Sequence, residues 1–153
     1  MLWLRYHHNV HRAYYNPQRL IGADAFYRLY PLDDSNTLPL AAILNSTYIA
    51  LWKEILGAVG YGLGVLGTRM DSMLRVSIPL LNDSGFCQEL TAAFKNIAFR
   101  TVGPIEHEKV QLDRRTLDDL VFSCFGLSAQ ERDAVYEAVI NLVEARLKKA
   151  GSV

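Results

Sequence analysis

A glycine-rich segment in the middle of the chain has the residue types and spacing of a phosphate-binding loop. The hexapeptide Gly62-Leu63-Gly64-Val65-Leu66-Gly67 matches the pattern G-x-G-x-x-G, which binds a pyrophosphate when a strand enters the first glycine and a helix leaves the last. Here the apolar stripe that begins at Ala41 predicts a helix before the glycines, and no βαβ unit follows. The spacing therefore favours glycines that end a helix, form a tight turn and let a short strand pass close to another element. A small nucleotide-binding enzyme stays as a remote alternative, which stabilisation by a dinucleotide or S-adenosylmethionine would reveal.

Cationic and aromatic side chains concentrate at the N-terminal end. Residues 1–23 contain three arginines and three histidines but no carboxylate, and Trp3, Tyr6, Tyr14 and Tyr15 lie among them. Arginine and histidine contact phosphates or read guanine edges, and phosphate contacts alone carry no sequence information. The competing interpretation is that the aromatic residues belong to the core and the cations line a solvated edge.

The remaining reactive residue types do not form a recognisable site. His7 and His11 share one face of a strand, but no Asp, Glu or Cys lies nearby in sequence, so no metal site is predicted. Glu106-His107-Glu108 lies in a polar connecting segment, where a solvated loop is favoured over acid–base chemistry. Cys87 and Cys124 stand too far apart for a disulfide framework or zinc site, and both are expected to be small buried side chains in helices.

Composition indicates one globular domain. The chain has 153 residues, of which 50% are hydrophobic and 21% charged, and its formal net charge is zero, so no global field attracts nucleic acid or membrane. The most apolar segment, 38–67, is interrupted by Asn45, Lys53 and Glu54, which favours a buried helix over a membrane span. No signal peptide is recognisable at residues 1–5. We therefore expect a cytoplasmic protein with no membrane partner.

Strands and helices that must position these residues are predicted from local patterns. Strands are expected within 2–15, ending at Asn16-Pro17, and over 25–30. A helix capped by Thr37 is predicted to continue to about Val59. The segment 70–74 is expected to form a helical turn capped by Thr68, and 76–80 an extended segment before a helix over 85–99.

The C-terminal end carries the strongest helix signals. A capping arrangement at Thr116 predicts a helix that Gly126 ends, after an irregular segment over 105–111. Ser128 and Glu131 form the sequence of a capping box, and a long helix follows it. The short connection predicts an angled or antiparallel helix pair.

The order of these motifs resembles a known family. The series runs Phe26-Tyr27-Arg28-Leu29, Ala41-Ala42-Ile43-Leu44-Asn45-Ser46, the glycine segment, Arg69-Met70-Asp71 and Val76-Ser77-Ile78-Pro79. The tail contains Asp113-Arg114-Arg115-x-Leu117-Asp118, Gly126-Leu127-Ser128, Glu131-Arg132 and Arg146. Together they resemble the C-terminal target-recognition region of adenine-N6 DNA methyltransferases, which include type IIG restriction–modification enzymes and related phage-defence methylases. Type I specificity subunits have a similar recognition domain, and the resemblance extends from about Trp3 to Ala150.

The resemblance implies an α+β fold, in which a small, twisted, mostly antiparallel sheet packs with a central helix and a C-terminal helical pair follows. Residues 1–112 would form the target-recognition-like region and 113–153 a helical tail packed on it, as part of a larger protein or a truncated reading frame. The implied partners are double-stranded DNA and a methyltransferase catalytic domain, in cis or in trans. Charge and position give the candidate DNA contacts Arg5, His8, Arg12, Arg19, Arg69 and Arg75.

Catalytic motifs of the family are absent from the chain. The adenine-binding loop of such enzymes is Asn/Asp/Ser-Pro-Pro-aromatic, whereas this chain has only Asn16-Pro17-Gln18-Arg19, and it lacks the S-adenosylmethionine-binding strand and glycine turn. We therefore expect a specificity fragment that is not itself an enzyme, with no catalytic, cofactor or metal residue, whose parent binds S-adenosylmethionine in its catalytic domain. The alternative is a protein–protein interaction or dimerisation module, in which the helices of 116–149 bind a partner or a second copy in a homo-oligomer.

Overall fold

Short strands occupy the N-terminal half of the chain and longer helices its C-terminal half, in a computed structural model that describes residues 1–60 and 62–151. The strands of these ranges are β1 (Leu2–Leu4), β2 (Tyr6–His7), β3 (Ala13–Tyr14), β4 (Phe26–Arg28), β5 (Ala58–Val59) and β6 (Leu66–Gly67). Their helices are α1 (Thr37–Leu44), α2 (Thr47–Leu56), α3 (Met70–Met73), α4 (Ser84–Ala98), α5 (Ile105–Glu108), α6 (Leu112–Ser123) and α7 (Ala129–Lys149). The predicted α+β class is confirmed.

The strands form two antiparallel sheets instead of the single sheet that was predicted. One has the order β3-β1-β4, and the other has the order β2-β6-β5. Trp3 pairs with Ala13 on one side and Tyr27 on the other, which places these three side chains on the face that packs on the helices. Because β1 and β2 join different sheets, the chain changes sheet at Arg5.

The central helix is not continuous, so the prediction of one helix from Thr37 to about Val59 is wrong. It breaks after Leu44, because the Asn45 side chain donates to the Ala41 carbonyl and pairs with both backbone groups of Ala13. Ser46 then caps α2 by accepting from the Ile49 N–H. The break turns the chain, so that α1 packs on α4 and α2 packs on α7.

The core lies around α1, which is buried along most of its length. Ala41, Ala42 and Ile43 pack with Leu90 of α4 and Leu117 of α6, all of them excluded from solvent. Small side chains on α1 let the neighbouring helix approach closely, since alanine adds little width to a helix.

Two helices begin at residues other than those predicted, and one segment that was predicted to be irregular is helical. Helix α6 begins at Leu112 and not at Thr116, whose hydroxyl instead donates to the Leu112 carbonyl inside the helix. The N-cap of α3 is Arg69 and not Thr68. The segment 105–108, expected to be irregular, forms the one-turn helix α5.

Helix ends near the C-terminus are as predicted. Gly126 has a φ of +68° and ends α6 with two backbone hydrogen bonds, one from its own N–H to Ser123 and one from Leu127 to Phe122. Ser128 and Glu131 form the capping box of α7.

Both cysteines were predicted to be buried. Cys124 is exposed, so that prediction is wrong for it, whereas Cys87 is half-buried. None of the helices within the described ranges combines the length and apolar character needed to cross a bilayer.

Candidate nucleic-acid interface

The six predicted DNA contacts do not form one cluster. A backbone hydrogen bond joins Arg5 to the segment just before Arg69, and Arg75 follows α3, whereas Arg19 lies in a separate turn. Of the remaining two residues, Arg12 donates from its guanidinium to a carbonyl of the fold, and His8 accepts a hydrogen bond at its backbone carbonyl.

Arg5 and Arg69 are neighbours because a backbone hydrogen bond joins their segments. The Thr68 N–H donates to the Arg5 carbonyl at 3.0 Å, which places Arg69 directly after the point of contact. The Arg5 guanidinium lies 5.0 Å from the ring centroid of Tyr6 and 5.8 Å from that of Tyr27. Tyr27 is fixed in turn by a 2.7 Å hydrogen bond from its hydroxyl to the Thr68 carbonyl. Two aromatic rings therefore orient the Arg5 guanidinium.

Arg69 and Arg75 flank α3 and project into solvent. The Arg69 side chain is 77% exposed, and its Nε lies 3.2 Å from a carboxylate oxygen of Asp71, which is itself 63% exposed. Such an exposed pair contributes at most about 1 kcal/mol, so a phosphate can replace the carboxylate at little cost. Arg75 is exposed just beyond α3, and no carboxylate of the described ranges pairs with it or with Arg5. We call Arg5, Arg69 and Arg75 the arginine face.

Arg12 is less available for DNA than its residue type indicates, whereas the contact of His8 is through its backbone. The Arg12 guanidinium donates through Nη2 to the Val102 carbonyl at 2.5 Å, which ties the edge strand β3 to the segment after α4. The His8 carbonyl accepts a 2.6 Å hydrogen bond from Arg146. DNA contact by either residue stays a prediction, and neither lies on the arginine face.

Arg19 is exposed at a turn that the Asn16 side chain closes by bonding to both backbone groups of Leu20. Its φ of +53° is unusual for a residue with a β-carbon. The turn borders an open groove of about 820 Å³ that Arg28 also lines. Arg28, which sequence analysis did not assign to DNA, therefore shares this groove with Arg19.

The glycine-rich segment forms a β-hairpin, as the turn interpretation predicted. We call it the glycine hairpin: strands β5 and β6 with the connecting residues 60–65, of which Tyr61 lies outside the described residues. The helix that follows the motif, α3, begins only at Met70, so Thr68 and Arg69 separate its N-terminus from the last glycine. Gly57 is required where α2 ends, since a β-carbon there would lie 2.6 Å from the Leu66 side chain.

A buried ion network, which sequence analysis missed, holds the turn of this hairpin at Gly64. Arg146 of α7 donates to both carboxylate oxygens of Glu54, at 2.8 and 3.0 Å, and also donates to the carbonyl of Gly64. His7 Nε2 lies 3.4 Å from the same carboxylate. Arg146, Glu54 and His7 side chains are at most 4% exposed. The network joins β2, α2, α7 and the hairpin, which are far apart in sequence.

Burial and pairing shift the ionisation of this network in opposite directions. Burial alone would raise the pKa of the Glu54 carboxyl, but hydrogen bonds from His7 and Arg146 outweigh it and hold that pKa below its ordinary value. Burial lowers the pKa of His7, more than the Glu54 hydrogen bond raises it. The charged pair of the network is thus the Glu54 carboxylate with the Arg146 guanidinium, and a neutral His7 imidazole can still donate a hydrogen bond to that carboxylate.

Lys53 lies beside this network and is excluded from solvent. Its Nζ donates to the Leu4 carbonyl at 2.5 Å and sits 5.1 Å from the Trp3 ring centroid. Burial lowers the pKa of the Lys53 ammonium to about 7. Lys53 thus fixes β1, the strand that leads into Arg5, against α2.

Residues of α6 that belong to the motifs named above connect the C-terminal helices to the break between α1 and α2. Asp118 of α6 is completely buried and accepts three hydrogen bonds, two from the N–H and hydroxyl of Thr47 and one from the Tyr136 hydroxyl, all of 2.6–2.7 Å. Arg114 donates to the carbonyl of Asn45. The tail therefore caps the start of α2 through side chains, and these motif residues have structural roles.

The remaining sequence clusters do not form a metal centre. His7 and His11 rings are in edge contact, with centroids 5.7 Å apart, but the described residues include no group of three His, Cys, Asp or Glu side chains that could hold a metal ion. His11 Nε2 lies 2.7 Å from the Leu44 carbonyl and 3.3 Å from the Trp3 Nε1, so it donates to the carbonyl or accepts from the indole N–H according to the tautomer of the ring. Glu108 of the acid–base cluster pairs with Arg100 at 2.7 Å, and is buried rather than solvated as predicted.

No protein-family model matches the chain, and neither curated proteins nor solved structures show a significant similarity to it.

Proposed function

We propose that the chain is a DNA sequence-recognition fragment of an adenine-N6 DNA methyltransferase or restriction–modification enzyme. The single observation that carries the proposal is the arginine face, where Arg5 and Arg69 are adjacent and Arg75 follows beyond α3. Their guanidinium groups are not consumed by buried ion pairs. They are therefore free to exchange weak surface contacts for phosphates.

The motif order supports the same proposal from a second direction. Asn45, Ser46 and Asp118 hold the break between α1 and α2, and Arg146 holds the glycine hairpin. These are the positions on which the resemblance to target-recognition regions depends. A shared set of scaffold residues is what two domains with a common fold and different DNA sequences would have in common.

The proposal assigns recognition to this chain and methyl transfer to a separate catalytic domain, in cis or in trans, that binds S-adenosylmethionine. Attraction to DNA would come from the arginine face and not from the charge of the whole chain, because the formal net charge is zero. Arg5, with its guanidinium beside two aromatic rings, is the contact most suited to reading a guanine edge. Arg69 and Arg75 are suited to phosphates.

Binding of a fluorescein-labelled mixed-sequence DNA duplex, measured by anisotropy at a series of salt concentrations, tests the proposal. We expect Arg69→Ala to weaken binding and to reduce the slope of log affinity against log salt by about 0.9, the value for one phosphate contact. Lys95→Ala is the matched control, because it removes one exposed cation on α4, beside a different groove lined by Tyr14 and Tyr15. Equal effects of the two substitutions would refute the arginine face as the contact surface.

The alternative of a helical interaction module has less support from the surface of α7. The residues of α7 that face solvent are mostly charged or polar, and Leu142, at 38% exposure, is the large apolar side chain among them. Partner helices normally bind through a contiguous apolar stripe. A concentration-independent monomer in light scattering, together with DNA binding, would separate the proposal from this alternative.

A further inference from the structure

We propose that a groove beside the sheet β3-β1-β4 binds single-stranded DNA, with phosphates on Arg19 and Arg28 and bases stacked on Tyr15 and Tyr30. All four residues line this open groove, whose volume is about 820 Å³. Every residue of its wall lies within the described ranges, and none of them belongs to the arginine face. The groove therefore adds a binding site to the one proposed for duplex DNA, and the two sites can be tested separately.

The two tyrosines leave the sheet at the same end. Strands β3 and β4 both run antiparallel to β1, one on each side of it, so they run parallel to each other. Tyr15 directly follows β3, and Tyr30 follows β4 by two residues. Because two strand spacings separate these strands, their backbones lie about 10 Å apart. Two rings at this separation can each stack on a base of the same strand.

Both tyrosine rings are available to a ligand. Tyr15 is 47% exposed and Tyr30 is 78% exposed. Neither hydroxyl makes a hydrogen bond with another residue of the described ranges. Their substitution therefore removes no contact that the fold needs.

Arg28 lies on the outer face of the sheet, beside the tyrosines. It pairs across β1 with Leu2, which places both side chains on the face opposite to Trp3 and the helices. Arg28 is exposed and forms no ion pair with a carboxylate of the described ranges. Its guanidinium is therefore free to bind a phosphate.

The turn that carries Arg19 is braced by the fold. Its N–H donates to the Asn16 carbonyl at 3.2 Å, and the Asn16 side chain bonds to both backbone groups of Leu20, at 2.8 and 3.0 Å. These bonds hold Arg19 at its φ of +53°, which a residue with a β-carbon does not favour. The same loop touches the sheet at Gly22, where a β-carbon would lie 3.0 Å from the Leu2 side chain.

Charge and shape favour a single strand as the occupant of the groove. The two arginines outnumber the one carboxylate in its wall, Asp34, which can accept from the amino group of a cytosine. Bases of a duplex are stacked inside it and cannot reach rings in a concave surface, whereas unpaired bases stack on tyrosine while arginine holds the backbone. An acidic peptide would pair with the arginines but leave both rings without a stacking partner.

Anisotropy of a fluorescein-labelled oligothymidine, titrated with the full chain at a series of salt concentrations, tests the groove, because this strand cannot pair with itself. We expect Arg19→Ala and Arg28→Ala each to reduce the slope of log affinity against log salt by about 0.7, the value for one phosphate contact in a single strand. Tyr30→Ala should weaken binding about tenfold without changing the slope, whereas Tyr30→Phe, which keeps the ring, should bind as wild type does.

Arg75→Ala is the matched control, because it removes an exposed arginine of the arginine face. It should weaken duplex binding and leave oligothymidine binding unchanged. An abasic strand of the same length should bind at least about fivefold more weakly than oligothymidine, since it has phosphates but no bases to stack.

Three results would refute the groove as a single-strand site: no binding of oligothymidine at low salt, equal binding of the abasic strand or of a glutamate-rich peptide, or equal losses in Arg28→Ala and Arg75→Ala. Recognition of duplex DNA by the arginine face would stand in each case if Arg75→Ala still weakened duplex binding. Oligothymidine binding that depends on Arg28 and Tyr30, without any duplex binding, would instead refute the proposed function and leave the groove.

Discussion

Lys53 provides a direct test of the interior that positions the arginine face. Its ammonium group is excluded from solvent, and burial lowers its pKa to about 7 from an ordinary value of 10.5. Replacing it with methionine, which has similar length and no charge, removes this titration. The perturbation is Lys53→Met, and the quantity to follow is the free energy of unfolding as a function of pH.

The sign and size follow from proton binding by the two states. Between pH 7 and 10 the unfolded chain keeps Lys53 protonated, whereas the folded chain releases the proton, so stability rises with pH. The slope approaches about 1.4 kcal/mol per pH unit for one proton. From pH 7.5 to 9.5 the contribution of Lys53 is therefore roughly 2–3 kcal/mol. The full penalty applies below the folded pKa and disappears above the unfolded one.

Urea unfolding at pH 7.5, 8.5 and 9.5 measures this contribution. The window lies above the range in which His7 and His11, whose pKa values burial lowers, take up protons. We expect the stability difference between Lys53→Met and wild type to fall by about 2–3 kcal/mol across it. Loss of the hydrogen bond to Leu4 shifts that difference by a nearly constant amount, so the slope is the better readout.

Lys95→Met is the control, because an exposed ammonium is hydrated in both the folded and the unfolded chain. Its profile should run parallel to that of wild type. A Lys53→Met profile that also ran parallel to wild type would show that Lys53 is charged and solvated in the folded chain. The placement of β1 against α2 would then be wrong.

Two further substitutions test the helix break and the hairpin tip. Asp118→Ala should destabilise the fold by about 3–5 kcal/mol in urea unfolding, because it leaves the buried groups of Thr47 and Tyr136 without an acceptor. Asp119→Ala is the control, because Asp119 is next to Asp118 but exposed, and it should cost under about 1 kcal/mol. Equal losses of stability would contradict the buried network. Leu63→Gly should raise the free energy of unfolding by about 0.5–1 kcal/mol, because glycine relieves the strain of the left-handed backbone conformation at some cost in chain entropy. If the substitution lowered the free energy of unfolding instead, the φ of +48° at Leu63 would be wrong.

Local signals in the sequence were sufficient where a single turn of chain determines the structure. Gly126 supplies the positive φ that ends α6, and Ser128 with Glu131 forms a capping box within four residues. Asp83 caps α4 in the same way, by accepting from the Phe86 N–H at 2.7 Å. These contacts form between neighbours in sequence, so residue types alone predict them.

The break after Leu44 could not be predicted from periodicity, because apolar residues continue on both sides of it. Asn45 breaks the helix by pairing with Ala13, which is 32 residues away. A signal was nevertheless present: Asn45-Ser46 placed two residues that favour helix ends inside an apolar stripe. Start positions such as Leu112 were missed for a related reason, since tertiary contacts extended the helix beyond its strongest capping motif.

The buried ion network and the division of the cations depend on contacts that no local pattern encodes. Arg146 and Glu54 are 92 residues apart, and Lys53 reaches a carbonyl 49 residues away. Lys53 and Glu54 did stand out as charges inside the most apolar segment, which is the signature of buried and paired groups. Which of the N-terminal cations remained exposed could be decided only once the strands were placed.

The salt dependence of duplex binding by the wild-type chain tests the central claim most directly. If Arg5, Arg69 and Arg75 all contact phosphates, a plot of log affinity against log salt should have a slope of about −3, and if Arg5 instead reads a base edge, a slope of about −2. Anisotropy of a labelled mixed-sequence duplex between low and physiological salt gives this slope. An affinity that is absent at low salt, or that stays flat as salt rises, would contradict DNA recognition by the arginine face.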